Sequence, residues 1–279
     1  MSAEQFEPHR RYLVGLAYRM LGSVAEAEDV VQDAYVRWTS ADRGDVAEPR
    51  AFLARTVSRL CLDRMKSARA RRESYVGTWL PEPYVDADQT FAADLSVALL
   101  MTLERLSPLE RAAFLLHDVF DMDYRDIGEV LERSEDACRQ LATRARGHVR
   151  DERPRFAATQ DASARLADAF HAALVAGDVA QLAQLLAEDA VMYSDGGGKK
   201  LAALNPIYGR DKILRFVVGI ASKRALPTAA EVERTTINGL PGFVLRTSEG
   251  VETLAIDVTD DRIVAIYAIR NPDKLKHLA

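Results

Sequence analysis

The sequence has few of the features that mark secreted or membrane proteins. Its two cysteines, Cys61 and Cys138, each fall on an apolar helical stripe, so we expect buried free thiols, and a metal site would need more ligands. No apolar run approaches the ~18 residues of a membrane span. The opening residues, MSAEQFEPHRRYL, lack the charged-then-apolar order of a signal peptide. These absences predict a cytoplasmic protein with no metal, no cofactor and no membrane contact.

The net charge is small, but charge is unevenly distributed along the chain. The 279 residues carry a net charge of −5, which argues against indiscriminate nucleic-acid binding. The segment from Arg50 to Arg72 nevertheless holds eight Lys or Arg residues against one acid, Asp63. The following segment, Glu73 to Glu104, holds no Lys or Arg. Basic helices separated by an acidic linker would give local phosphate-binding surfaces on an acidic protein.

The stretch from Asp123 to Arg150 has the pattern of two helices joined by a tight turn. Asp123 is placed to cap the first helix, with Asp126 reaching back to it, and Ser134 is placed to cap the second. No carboxylate follows Ala137 on the second helix. This layout is typical of a helix-turn-helix, whose second helix lies in the DNA major groove. The outer face of that helix carries Arg139, Gln140, Thr143, Arg144, Arg146 and Arg150.

An ordinary helical hairpin with a solvated arginine face would fit the same residues, because charge runs on helices are usually just hydrated. The N-terminal residues bear on this choice. Apolar residues recur at helical spacing from Phe6 to Leu21, and Gly22 ends that pattern. Ser23 suits the cap of a second helix, and a third helix follows from about 49 to 73. Short connections between them predict a compact three-helix bundle.

Two blocks resemble one family, in the right order and spacing. SVAEAEDVVQDAYVRW followed by EPRAFLARTVSRLCLDRMKSARARR is similar to region 2 of a bacterial sigma factor of the extracytoplasmic-function type. LSPLERAAFLLHDVFDMDYRDIGEVLERSEDACRQLATRARGHV is similar to region 4 of that family. The resemblance covers about the first 155 residues. It implies that the chain binds core RNA polymerase, at its clamp helices and flap, and directs it to the −10 and −35 elements of promoter DNA.

The resemblance assigns roles in region 2. An acidic helix face, which suits a basic coiled coil, matches the positions that dock on the clamp helices; a merely solvated face is the alternative. The loop 39–49 matches the segment that captures an unstacked −10 base, for which a pocket and phosphate anchors are needed. The docking residues are Asp29, Gln32 and Asp33, and the arginines that read or hold the −10 element are Arg50, Arg55 and Arg59.

In region 4 the resemblance places Arg139, Gln140, Thr143 and Arg144 opposite the −35 element. Arginine can bind guanine bidentately and glutamine can read adenine. Arg146 and Arg150 are expected to contact phosphates, which fix register without reading sequence. The family pattern is broken at three positions, which leaves the base preference open: Glu132 stands where Gly or Asn is common, Arg133 where an apolar residue is usual, and Leu141 where many relatives have Arg.

The linker over 74–90 contains the motif WLPEP at residues 79–83. Its two prolines disfavour helix and stiffen the chain. Trp79 and Leu80 are large apolar groups in a polar segment, so they are expected to pack on a neighbouring domain, either as ordinary local packing or as a latch. WLPEP in this place resembles a sigma factor subgroup, the sigma factor J type, that carries an extra C-terminal domain.

The residues after 160 change in pattern. A helix capped by Asp161 is expected, followed by helices from Asp178 to Leu186 and over 209–224, with a short strand at 191–193. Strands over 231–238, 242–247, 251–258 and 262–269 follow as an antiparallel meander. This order predicts an α+β domain. It resembles the SnoaL-like members of the NTF2-like fold, a curved, cone-shaped sheet around a helix with a pocket that could take an unknown small ligand.

Catalysis in this domain has two candidate groups. His171 lies on a helix close to an apolar face, where a structural histidine is the better interpretation. Asp195 precedes three glycines and could be a base, but a glycine-rich turn explains the same residues without chemistry. We therefore expect no enzyme activity. The alternative keeps the domain as a small-ligand sensor or an active isomerase or hydrolase.

A regulatory role fits better, since a fused domain acts at high effective concentration on its neighbour. We expect three segments to form one mutual contact: Trp79, Leu80, Pro81, Glu82 and Pro83 in the linker; Asp195, Gly196, Gly197, Gly198 and Lys199; and Asn271, Pro272, Asp273, Lys274 and Leu275. The expected architecture is multidomain: two all-α sigma domains, 1–73 and a helix-turn-helix domain at 91–155, the linker 74–90 between them, and the α+β NTF2-like domain 160–279.

Overall fold

The computed structural model describes residues 3–40, 46, 48–73, 75–85, 96–150, 160–221 and 231–279. The chain forms two compact units: Met1–Ser74 with Ala98–Arg153, and Tyr75–Val97 with Pro154–Ala279. The two helical regions therefore share one unit, and the described linker residues belong to the C-terminal unit. No helix in the described ranges is both long and apolar enough to cross a membrane.

The first unit begins with the expected helices. They are α1 (Ala3–Leu21), α2 (Val24–Ser40) and α3 (Pro49–Glu73). Gly22 ends α1 with a φ of +69°, a conformation that glycine adopts without steric cost. The Ser23 hydroxyl accepts from the Glu26 amide at 3.1 Å and so caps α2. Trp38, Leu13, Leu16 and Leu53 are fully buried between these helices.

The rest of the first unit comprises α4 (Val97–Arg105), α5 (Pro108–Phe114), a π-helical turn (Leu115–Val119), α6 (Tyr124–Leu131) and α7 (Glu135–Arg150). The sequence Ser-Pro-Leu-Glu at 107–110 predicts a capping box, and the Ser107–Glu110 box does start α5. Two expectations fare differently. Asp123 occupies the N-cap position of α6, but its side chain makes no capping hydrogen bond. Phe91, where the leading helix was expected to begin, lies outside the described residues.

The turn between α6 and α7 is tight. Glu132 has a φ of +54°, a left-handed conformation that costs a non-glycine residue about 1 kcal/mol. The Arg133 amide donates to the Gly128 carbonyl at 3.1 Å, which closes the end of α6. A Cβ on Gly128 would lie 2.8 Å from the Arg133 carbonyl oxygen, so this position excludes a side chain. Ser134 caps α7 by accepting from the Ala137 amide at 3.3 Å.

Arg111 joins the two helical regions inside the first unit. Its side chain is 1% exposed, and it donates to the Met20 carbonyl at 2.6 Å and to the Leu103 carbonyl at 2.7 Å. Glu104 supplies the counter-charge at 2.6 Å. Burial lowers the pKa of Arg111 to about 9, which still leaves the guanidinium charged at neutral pH. A buried cation with these partners ties the end of α1 to α5.

The second unit is α+β, as expected. It contains α8 (Gln160–Ala176), α9 (Val179–Leu185), β1 (Leu186–Asp195), β2 (Ile207–Tyr208), α10 (Arg210–Ala221), β3 (Val232–Ile237), β4 (Leu240–Thr247), β5 (Gly250–Thr259) and β6 (Arg262–Ile269). The described strands form one sheet in the order β2-β1-β6-β5-β4-β3. Short 3₁₀ turns at Pro272–Lys274 and Lys276–Leu278 follow β6.

Several local expectations for this unit were wrong in extent. The predicted three-residue strand at 191–193 is the ten-residue β1, and β2 was not predicted at all. Although β3 to β6 pair antiparallel, β1 pairs parallel with β6, with a register shift between Leu186 and Val191. That irregularity breaks the alternation from which strands are recognised in a sequence. Asp161 lies inside the first turn of α8 and is not its cap.

One face of the sheet packs on the helices. Phe170 of α8, Phe243 of β4 and Ile256 of β5 are buried in this core, together with Leu254 and Val258. Leu254, Ile256 and Val258 alternate along β5 and therefore share the face that packs into this core. Asp195 at the end of β1 accepts from the Leu80 amide, so the described linker residues contact the sheet there.

A side chain at Gly128 is expected to destabilise the turn of the first unit. In Gly128→Ala the new methyl would press on a backbone oxygen that cannot rotate away, so we expect a loss of about 1–3 kcal/mol. The matched control is Gly147→Ala in α7, where a Cβ meets nothing within 4 Å and should stabilise by up to about 1 kcal/mol. Hydrogen exchange of α6 and α7 peptides in urea measures both. Equal effects of the two substitutions would contradict the packing described here.

Candidate functional sites

The carboxylate of Asp195 is completely buried at the end of β1. Its Oδ1 accepts from the Tyr75 hydroxyl at 2.6 Å and from the Gly197 amide at 3.0 Å. Its Oδ2 accepts from the Leu80 amide at 2.9 Å and from Lys274 Nζ at 2.7 Å. Four donors therefore replace the water that burial removes, as a buried charge requires. We call Tyr75, Leu80, Asp195, Asn271 and Lys274 the Asp195 cluster.

Lys274 is the counter-ion of this cluster. Its side chain is 9% exposed, and its ammonium also donates to the Leu80 carbonyl. The ammonium lies 4.3 Å from the centroid of the Trp79 ring and 4.8 Å from that of Tyr75, so both rings take part in cation–π contacts. The side chain of Trp79 is therefore held by charge as well as by packing.

Tyr75 and Asn271 connect the linker to the tail of the chain. The Asn271 amide nitrogen donates to the Tyr75 hydroxyl oxygen at 2.7 Å, while that hydroxyl donates to Asp195. Burial and the Asp195 carboxylate raise the pKa of Tyr75 well above its ordinary value, so the hydroxyl keeps its proton. Sequence analysis missed Tyr75 because it lies before the WLPEP motif and has no pattern of its own.

Glycine is required at the three positions after Asp195 because other atoms of the chain approach the backbone closely there. A Cβ on Gly197 would lie 2.2 Å from the Asn271 amide nitrogen, and one on Gly196 would lie 2.2 Å from the Lys200 carbonyl. Gly197 and Gly198 also have φ values of +59° and +70°. The glycines therefore let the chain turn against the tail. This explains the DGGGK sequence without assigning it a catalytic or phosphate-binding role.

Further contacts surround the cluster. Lys199 pairs with Asp273 at 2.5 Å on the surface, and His277 Nε2 lies 2.9 Å from the Pro83 carbonyl. At the far end of the linker the Asn238 amide donates to the Tyr84 carbonyl at 2.9 Å. The structure thus brings the three motif segments together, with Leu80, Pro81, Pro83 and Leu275 buried and Glu82 half-buried.

Arg270 is, with Lys274, a second buried cation of this unit. Sequence analysis missed it. Its guanidinium pairs with Glu252 at 2.9 Å and Glu249 at 3.3 Å, and it donates to the Leu201 carbonyl. Its own backbone amide donates to the Asp195 carbonyl at 2.8 Å. Arg270 therefore fixes the strand end from which the Asn271–Leu275 segment leaves the sheet. A single arginine between an apolar strand and a proline gives no signal of such a role in the sequence.

The acidic face of α2 is exposed. Asp29 and Asp33 both point to solvent, and Gln32 lies beside them. Val36, one turn further on, is 52% exposed and extends the same face with an apolar group. Arg64 of α3 pairs with Asp29 at 3.4 Å and with Asp33 at 3.1 Å, which orients both carboxylates. Sequence analysis missed Arg64 and Val36 because their role depends on the packing of α2 against α3.

The candidate arginines of α3 are placed on two faces. Arg50 is exposed and stacks over the Tyr12 ring at 4.2 Å. Arg55 and Arg59 are one helical turn apart and both reach towards α6. The predicted base-capturing loop cannot be compared with the structure, because residues 41–45 and 47 lie outside the described residues.

The outer face of α7 has the predicted composition and is solvent-exposed at Arg139, Gln140, Thr143 and Arg144. Arg139 pairs with Glu135 and with Asp136, and Arg144 pairs with Glu110 at 3.4 Å. These exposed pairs are weak and can exchange for other partners. Cys138, Leu141 and Ala145 are buried on the inner face. The face that would lie in a major groove is therefore separate from the face that packs.

Arg146 differs from its neighbours. Its guanidinium donates to Asp118 at 2.7 Å and to the Tyr124 hydroxyl at 2.8 Å, and the Asp118 carboxylate raises its pKa. It is therefore held inside the unit and braces α7 against α6. The side chain of Arg150 lies outside the described residues.

His171 is packed as a structural residue. Its ring stacks on Phe243 with centroids 4.7 Å apart, and burial lowers its pKa. A cavity of 450 Å³ opens at the start of α10 and is lined mainly by charged side chains, including Glu188, Arg210 and Lys212. His171 does not line it. Among the described residues, no group of three or more His, Cys, Asp or Glu side chains is placed to hold a metal ion.

Removing the counter-ion of Asp195 should destabilise the second unit strongly. Lys274→Met leaves a buried carboxylate unpaired, which costs about 3–5 kcal/mol. The matched control is Lys199→Met, which breaks an exposed ion pair between the same segments and should cost less than about 1 kcal/mol. Hydrogen exchange of residues 75–85 in urea reports both losses. Similar losses for the two variants would show that the Asp195 cluster is not a buried, mutually dependent contact.

The comparisons with known proteins cover nearly the whole chain. Models described as Sigma-70 region 2 and Sigma-70, region 4 match residues 5–71 and 96–149. The chain is 39% identical to the ECF RNA polymerase sigma factor SigJ of Mycobacterium tuberculosis, over 98% of this chain and 93% of the relative. The probable ECF RNA polymerase sigma factor SigI of that species is 34% identical over 97% and 93%.

A solved structure agrees with these relatives. The crystal structure of M. tuberculosis extracytoplasmic function sigma factor SigJ matches with a TM-score of 0.81 and 36% identity, over 99% of this chain and 98% of that chain. The match includes the C-terminal extension as well as the two helical regions. The resemblance found in the sequence is confirmed: the chain belongs to the family of ECF RNA polymerase sigma factors.

Proposed function

We propose that this sigma factor reads the −35 element through the outer face of α7 and holds the −10 element through α3. The observation that carries the first part is the exposed row Arg139, Gln140, Thr143 and Arg144 on a helix whose opposite face is buried. Arginine and glutamine at the start of a recognition helix can bind base edges in the major groove. Arg50, Arg55 and Arg59 supply cations for the phosphates of the −10 element.

Core RNA polymerase is the second partner. The exposed carboxylates Asp29 and Asp33, held by Arg64, present negative charge in a fixed geometry, and Gln32 and Val36 add polar and apolar contacts beside them. Such a mixed face suits a basic coiled coil like the polymerase clamp helices. Contact of region 4 with the flap would complete the docking. The chain itself carries out no chemistry in this role.

The C-terminal unit modulates this activity by holding the linker. Residues 75–85 are fixed at one end by Asp195 and Lys274 and at the other by Asn238. An unattached segment of this length could span about 3.3–3.6 Å per residue. Because the linker joins regions that read separate promoter elements, fixing it limits how far they can separate. Regulation through the Asp195 cluster is therefore the role we assign to the fused domain.

Promoter reading is tested by run-off transcription with bacterial core polymerase on a DNA library randomised at the −35 and −10 positions, with 5′ ends sequenced. The full chain should give promoter-specific product. Gln140→Ala should change the base preferred at one −35 position by about tenfold. His148→Ala, exposed on the same helix, should leave the preference unchanged. A library profile that is identical for all three proteins would reject the assignment of α7.

The regulatory role is tested in the same assay with the lysine pair. Lys274→Met should release the linker and raise the yield of transcript several-fold at a fixed protein concentration, because the two regions are then freer to separate. Lys199→Met, which breaks only a surface pair, should match the wild type. A lower yield of transcript from Lys274→Met, while hydrogen exchange shows that the helical unit is folded, would mean that the cluster supports the active state. The proposed inhibitory effect of the cluster would then be wrong.

A further inference from the structure

Two arginines proposed to hold the −10 element are already bound to α6 inside the first unit. Arg55 Nη1 lies 3.7 Å from an Asp126 carboxylate oxygen and 4.0 Å from a Glu129 carboxylate oxygen. Arg59 Nη2 donates to the Glu129 backbone carbonyl at 2.6 Å. Both contacts join residues far apart in sequence, so they depend on how region 4 packs on region 2.

The two helices match in spacing and charge. Arg55 and Arg59 are four residues apart on α3, and Asp126 and Glu129 are three residues apart on α6, so each pair lies on one helix face. The opposite side of α6 is apolar, with Ile127 buried in the unit. The acidic residues therefore lie away from that apolar side, where they meet the arginines. Carboxylate and carbonyl oxygens of α6 therefore lie beside the same guanidinium groups that phosphate oxygens would have to reach.

We propose that Asp126 and Glu129 mask the −10-binding arginines in the free protein, so that α6 competes with promoter DNA for α3. This inference rests on the proposed role of Arg55 and Arg59. It assigns an inhibitory function to region 4 itself. Binding of region 4 elsewhere would uncover the arginines, and the single-stranded −10 element would then replace the acidic edge.

The exposure of the contact suits a reversible mask. The side chains of Arg55, Asp126 and Glu129 are 29%, 37% and 57% exposed, so solvent screens the pairing. A DNA strand that offers several phosphates at once gains more binding free energy than is lost when the contacts between α3 and α6 break. Arg111, by contrast, is buried, so its contact with the Met20 carbonyl is more costly to break than the exposed pairing of Arg55.

The mask is tested by fluorescence anisotropy with a labelled single-stranded 20-nucleotide DNA of random sequence and the full-length protein. Phosphate contacts carry no sequence information, so this probe reports whether the arginines are available. Asp126→Asn with Glu129→Gln should bind about threefold to tenfold tighter than the wild type, mainly through Arg55, because Arg59 keeps its backbone acceptor. Asp126→Asn alone and Glu129→Gln alone should each raise the affinity for this DNA by an intermediate factor.

The matched control removes the same charge elsewhere. Glu4→Gln with Glu7→Gln changes two exposed acids of α1 and should alter binding less than twofold. Adding Arg55→Gln to the Asp126→Asn, Glu129→Gln protein should cancel its gain. Equal gains in the two double variants, or a gain that survives loss of Arg55, would overturn the mask. Thermal unfolding checks that each variant is folded, and polymerase is absent, so failure of the sigma assignment would be seen separately in the run-off assay.

Discussion

The second unit depends on one buried charge. Asp195 has lost all contact with water, and such a group is tolerated only when its hydrogen bonds are replaced by protein. Its four donors come from three distant segments: Tyr75 and Leu80 in the linker, Gly197 in the next turn and Lys274 in the tail. The carboxylate therefore requires all three segments to be present together. Neither the sheet nor the linker alone could satisfy it.

Sequence analysis could recognise the parts of this arrangement but not their chemistry. The helices α1 to α3, the capping box at Ser107 and the strands β3 to β6 follow from local patterns of apolar spacing and capping, and their extents were predicted well. The parallel pairing of β1 with β6 joins residues about 75 positions apart and leaves no local pattern. Tyr75, Arg64 and Arg270 were missed for the same reason, since each acts on a partner that is close only after folding.

The glycines of DGGGK are explained by the close approach of another segment of the chain, which leaves no room for a side chain. In the sequence they suggest a glycine-rich turn. In the structure a methyl on Gly197 would overlap the Asn271 side chain, whose amide in turn supports Tyr75. The glycines are thus part of the same constraint as the buried carboxylate. The motif identifies a surface that another segment must approach closely, and the identity of that segment needed the fold.

The two kinds of contact in this chain suit different tasks. The Asp195–Lys274 pair is buried, so breaking it leaves a charge without water or partner, and it is poorly suited to open and close at low cost. The contact of Arg55 with Asp126 and Glu129 is half-exposed, so each side can rehydrate as the other leaves. Because a switch must be reversible, we argue that the exposed contact is the one suited to open and close, while the Asp195–Lys274 pair acts as a fixed restraint on the linker. The buried Asp195–Lys274 pair holds the linker residues in place, and this limits how far the contact of Arg55 with α6 can open.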